Sequence, residues 1–141
     1  YIWQSAAAGI ITTISIYIFS GVVGLFILAG VGSTFFTIFA LPNNRTAKTR
    51  AIIGSYIISI IIGFIGFKYL SFSAGGGLAV GLATLMVITD TEHPPAAGIS
   101  LGLAMAESMN IIYKGAIFAI IGAVISAFLR YLLKPWLKDL F

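Results

Sequence analysis

The sequence predicts an all-α bundle of membrane-spanning helices, and three features carry that expectation. Hydrophobic residues make up 60% of the 141, mean hydropathy is +1.09, and only 9% of residues are charged. An average soluble domain is about one quarter charged. Several apolar stretches are long enough to cross a bilayer, which takes roughly 20 residues as a helix. Most basic residues fall in two clusters, Arg45, Lys48, Arg50 and Arg130, Lys134, Lys138. That pattern belongs to membrane topology rather than to nucleic acid. An ordinary water-soluble globule is excluded, and with no cysteine in the chain so are disulfides and thiolate metal sites.

Residues 1–44 carry no charged side chain. As one helix they would reach about 66 Å, twice the hydrocarbon thickness, so the stretch must break. Gly30-Val31-Gly32-Ser33-Thr34 is the expected place, because two glycines precede hydroxyls able to cap a new helix. This gives a first span at about 5–29 and a short helix at about 34–41. There is no signal-peptide pattern, so the first stretch reads as mature structure. After the first basic cluster, Ala51 to Phe67 forms a second span, with Lys68 snorkelling at its end. Ser71 to Gly77 reads as a small-residue loop, and Leu78 to Ile88 as an apolar segment. A helix beginning at Pro95 runs to about Ala106. Glu107 to Asn110 is a polar turn, and Ile111 to Leu133 is the last span.

Charge then constrains topology. If both basic clusters are cytoplasmic, an even number of crossings separates them. The region from 77 to 107 must therefore be a hairpin, of two short helices or re-entrant, bent near His93-Pro94-Pro95. The whole chain reads as a single transmembrane domain with possible halves 1–70 and 71–141. Three elements per half predict a 3+3 inverted repeat whose two short or re-entrant helices meet centrally. Small residues four apart, as in Ser55, Ser59, Gly63 and in Gly115, Ala119, Ala123, Ala127, suit close helix packing and contacts in a homo-oligomer. Trp3, Tyr131 and Trp136 read as interfacial anchors.

Thr89-Asp90-Thr91-Glu92-His93-Pro94-Pro95-Ala96-Ala97-Gly98 stands apart, with two of the four carboxylates and the one histidine set between apolar arms. Such a knot is costly in lipid unless protein or water surrounds it. Together with Gly32-Ser33 and with Arg50 and Gly54 opening the second span, His93-Pro94-Pro95-Ala96 resembles the HPP family of integral membrane proteins. The resemblance implies a helical membrane protein whose plant and cyanobacterial relatives are associated with nitrite transport. The family often has a histidine where this chain has Tyr56.

A helix that starts inside a membrane aims unsatisfied N–H groups and a positive dipole end at its surroundings. Starts after Gly32 and after Pro94 are expected to face one small anion. The candidate anion-binding set is Gly32, Ser33, Thr34, Thr89, Thr91, His93, Pro94, Pro95, Ala96, Ala97 and Gly98, with hydroxyls as neutral donors. Asp90, Glu92 and His93 are candidates for proton or ion coupling, and Arg50 for recruiting anions at the mouth. Alternative roles for Asp90 and Glu92 are binding a cation or pairing with Arg50 or Lys68. Their spacing with His93 does not place all three on one helical face, so no metal site, cofactor or enzyme is expected. The expected function is transport of a small monovalent anion, nitrite or similar through the resemblance, in a prokaryotic cytoplasmic membrane. The alternatives are a proton- or cation-linked transporter and a non-transporting membrane subunit. The expected partners are the bilayer, the anion and further copies of the chain, not nucleic acid.

Overall fold

The computed structural model describes residues 1–140. Six α-helices are found among them: α1 Ile2–Phe19, α2 Leu25–Ala40, α3 Thr49–Tyr69, α4 Phe72–Ala83, α5 Pro95–Ala104 and α6 Met109–Leu133. Helices α1, α3 and α6 are long and apolar enough to span a membrane, whereas α2, α4 and α5 are shorter apolar helices. Ser108 starts α6 as an N-cap, its hydroxyl accepting from the Ile111 N–H at 3.4 Å. Exposed isoleucines, valines and phenylalanines cover the outside of α1, α3 and α6, as a lipid-facing surface requires.

The helices run alternately up and down. At one end Gln4 donates to the carbonyls of Phe39 and Lys138 at 2.6 and 2.9 Å. Arg130 donates there to the Pro42 carbonyl at 3.1 Å, and the Leu140 N–H to that of Ala40 at 2.8 Å. Both basic clusters therefore lie at the same end, with four helices between them. The even number of helices between the clusters agrees with the parity expected from charge. Helices α4 and α5 form the expected hairpin, and its tip at His93-Pro94-Pro95 points to this basic end.

Helix α5 is the centre of the bundle, packed against α2, α3 and α4. Ala96, Ile99, Ser100, Gly102, Leu103 and Ala104 are all buried. Glycines bring the neighbours in: a Cβ on Gly63 would stand 2.6 Å from the Leu103 Cβ and 2.9 Å from the Ser100 carbonyl oxygen. The close approach of small residues lets Ile99 and Leu103 of α5 sit fully buried in one apolar core with Ile27, Phe35 and Ile52.

Two expected elements are corrected. The first long stretch breaks at Ser20–Gly24, and α2 runs unbroken through Gly30 to Thr34. The hydroxyls that read as caps instead sit mid-helix, where the Thr34 hydroxyl lies 3.0 Å from the Gly30 carbonyl and that of Thr37 donates to Ser33 at 2.9 Å. Gly30 and Gly32 serve packing: a Cβ on Gly30 would meet Ile99 and the Pro95 carbonyl, and one on Gly32 would meet Thr12. Likewise the small-residue stretch 71–77 is not a loop, because α4 begins at Phe72. Its low helix propensity is overridden by fit, since a Cβ on Gly75 would stand 2.9 Å from the Gly66 carbonyl oxygen. The segment from 78 to 88 is split between α4 and a 3-10 turn at Thr84–Val87.

Candidate functional site

The hairpin tip is built by polar bonds rather than by the prolines alone. The Thr91 N–H returns to the Met86 carbonyl at 3.0 Å, and the Thr89 and Thr91 hydroxyls lie 2.7 Å apart. Between them Asp90 takes a left-handed conformation with φ 53°, which aspartate tolerates better than most residues. The Thr91 methyl then packs where Gly54 leaves room on α3. Pro95 occupies the first turn of α5, where its missing N–H is no loss.

This turn buries His93, 1% exposed, between α2, α3 and the turn Arg45–Ala47. Its Nδ1 lies 2.7 Å from the Thr46 carbonyl oxygen. A carbonyl only accepts, so Nδ1 carries a proton. In the neutral ring Nε2 is then an acceptor, and it lies 2.8 Å from the Thr34 hydroxyl. Thr34 is also 2.7 Å from the Tyr56 hydroxyl. One ordered chain satisfies every group: Tyr56 donates to Thr34, Thr34 to Nε2, and Nδ1–H to Thr46. Burial disfavours the charged ring and lowers the His93 pKa to about 4, against the opposing pull of the Thr46 carbonyl.

The cluster is recessed. Thr34 lies six residues below the end of α2 and Tyr56 seven below the start of α3, about 9–10 Å of helix. A cavity of about 370 Å³ opens beside it, lined by Thr46, Thr84, Met86, Glu92, His93 and Ala97 among others. Above stands a rim of opposite charges. Arg45 pairs with Glu92 and, at 3.5 Å, with Asp90; Arg50 reaches Asp90 at 3.7 Å and donates to the Thr89 carbonyl at 3.1 Å. The tip carboxylates are thus matched by two arginines, and Asp90 pairs with Arg50 as one of the sequence alternatives had it.

The structure brings together Thr34, His93, Pro94 and the start of α5, but not the two helix starts that the sequence suggested. Helix α2 begins at the opposite end of the molecule, so Gly32, Ser33 and Thr34 flank no helix start. Gly32 and Ser33 line a separate groove against α1, with Gln4 and Thr12. The start of α5 also offers few free donors. Pro94 and Pro95 have no N–H, while the N–H groups of Ala96 and Ala97 turn back to the carbonyls of His93 and Pro94 at 2.9 and 3.0 Å. Ala96 is buried, Ala97 borders the cavity, and Gly98 packs on the α2 backbone near Gly30. Thr89 and Thr91 brace the tip. No group of three or more histidine, cysteine or carboxylate side chains suited to a metal occurs among the described residues.

Tyr56, Thr46 and Arg45 belong to the site and were not among its candidates. Tyr56 had a signal: a hydroxyl-bearing side chain on the Ser55–Ser59 side of an otherwise apolar span. The Thr46 carbonyl had none, being backbone. No curated protein and no solved structure matches this chain. The model of the HPP transmembrane region matches residues 1–137, and the match agrees with the long apolar helices and with the His-Pro-Pro tip, whose histidine is buried. The chain is an integral membrane protein and belongs to the HPP family.

Proposed function

We propose that the protein transports a small monovalent anion, with nitrite or a similar ion favoured by the family resemblance, and that it is not an enzyme. The observation that carries this reading is the buried, uncharged Thr34–Tyr56–His93 cluster beneath a basic end. Six of the eight basic residues lie at that end with three of the four acids (Asp90, Glu92 and Asp139), a net formal charge of +3 there. The positive field concentrates anions, and the neutral polar groups of Thr46, Thr84 and His93 that border the adjoining cavity hold an ion without trapping it. Cation transport through Asp90 and Glu92 is the weaker reading, since both carboxylates are engaged by arginines. The charge asymmetry supports a cytoplasmic basic end, and the same reading puts the protein in a prokaryotic cytoplasmic membrane. A homo-oligomer and an inverted relation between residues 1–70 and 71–141 belong to the same reading.

The test is flux in proteoliposomes across nitrite, nitrate, formate, chloride and sodium. Anion flux above protein-free liposomes, reduced at least tenfold by Thr34→Val with His93→Ala, supports the proposal. Flux of sodium alone, or of none of these ions, overturns it.

A further inference from the structure

We infer that a proton travels with the anion, one per anion, and that His93 is the group that carries it. The inference rests on the anion-transport reading above and adds a second solute to it.

The geometry of Thr34 is the first ground. Its single hydroxyl proton has two acceptors in reach, His93 Nε2 at 2.8 Å and the Gly30 carbonyl at 3.0 Å. With His93 neutral, the hydroxyl donates to Nε2. When a hydronium ion delivers a proton to Nε2, an N–H bond forms there and water is released. The Thr34 hydroxyl then rotates to the Gly30 carbonyl, and its oxygen accepts from both Nε2–H and Tyr56 O–H. Nδ1–H stays on the Thr46 carbonyl throughout. Both protonation states are fully hydrogen-bonded with no heavy atom displaced, as a site that gains and loses a proton each cycle requires.

Charge balance is the second ground. A buried imidazolium needs a counter-charge. Around His93, α2 contributes only the neutral Thr34, α3 contributes Tyr56 and Arg50, and the 45–47 turn contributes Arg45. The tip itself contributes Asp90 and Glu92, while Ser73–Val87 and α5 contain no charged residue. Two arginines offset two carboxylates, so the protein supplies no spare negative charge. An anion in the adjoining 370 Å³ cavity does. Each ion thereby strengthens binding of the other, and by linkage the two effects are equal. The loaded site is neutral, and so is the transported pair.

The experiment uses the full chain in liposomes, labelled with 15N-histidine; with one histidine in the sequence, one imidazole is read. Nitrate is the probe, since its conjugate acid does not cross a bilayer by itself near neutral pH. The expected spectrum without nitrate shows neutral His93 protonated at Nδ1. Saturating nitrate should move the titration midpoint up by at least one pH unit, a tenfold mutual effect. An inward proton gradient should drive nitrate uptake, a potassium-clamped membrane potential should not, and His93→Gln should lose the response to the gradient. Nitrate flux that follows the potential and ignores the gradient, or a midpoint unmoved by nitrate, overturns the coupling while leaving anion transport standing. Absence of flux for every anion overturns the transport reading; the nitrate-dependent midpoint then decides whether His93 still couples a proton to a bound anion.

Discussion

Replacing His93 by glutamine should remove a defined slice of pH-dependent stability. The buried imidazole is held neutral, with its pKa lowered from 6.5 to about 4. A chain unfolded in detergent binds a proton at this residue below about 6.5, whereas the folded protein does not until about 4. Between those limits the unfolded state holds more protons, so stability rises with pH. The contribution is fully present above 6.5, shrinks as pH falls through the window, and stops changing below 4. A shift of this size corresponds to about 3 kcal/mol, or a change in Tm on the order of 5–10 °C for a chain of this length. Thermal unfolding of the wild type and His93→Gln in the same detergent, from pH 8 to pH 4, isolates the term, because the other titrating groups are common to both. The wild type should lose several degrees more than the variant between pH 6.5 and 4. Parallel curves would refute the buried neutral imidazole.

Thr34→Val, which keeps the side-chain shape, should cost about 1–3 kcal/mol by leaving the Tyr56 hydroxyl and His93 Nε2 without their shared partner. Thr34→Ser should recover most of the lost Tm. Gly63→Ala should destabilise by about 1–3 kcal/mol in the same melting assay, since its Cβ meets α5 backbone that cannot yield locally. Gly77→Ala, in open space on α4, should instead hold or raise Tm by up to about 1 kcal/mol of helix propensity. Arg45→Ala should change Tm little, because exposed ion pairs contribute about 0–1 kcal/mol. It should nevertheless slow anion flux, most visibly at low salt.

Much of the architecture was readable because composition and charge act over long stretches. The last span was expected at 111–133 and is found at 109–133; parity of the basic clusters placed the hairpin and its tip. What failed was local. At Gly30–Thr34 and at 71–77 the glycines looked like breaks, yet in both places they admit a neighbouring helix. Glycine in a membrane helix has both uses, and only knowledge of the partner, Ile99 or Gly66, separates them. The same limit hid half of the site. His93 and Thr34 stood out as polar residues, but no pattern shows that Thr34 meets His93 across 59 positions or that the Thr46 carbonyl orients the ring.

The distribution of contacts on the hairpin bears on how it works. Along its flanks it meets the rest of the bundle through glycines, at Gly30, Gly63, Gly66, Gly102 and Gly115. Such surfaces pack closely but carry few directional bonds. At its tip the links are polar: His93 to Thr34 and Thr46, Asp90 and Glu92 to Arg45, Asp90 and Thr89 to Arg50. The buried links are worth more than the exposed ones, because a buried partner left unpaired is costly while an exposed arginine is rehydrated. Any movement of the tip must therefore first exchange the His93 bonds, and these are the bonds a proton rearranges. The arginine pairs above them can open at little cost, which suits a rim that admits ions better than a clasp that holds the fold.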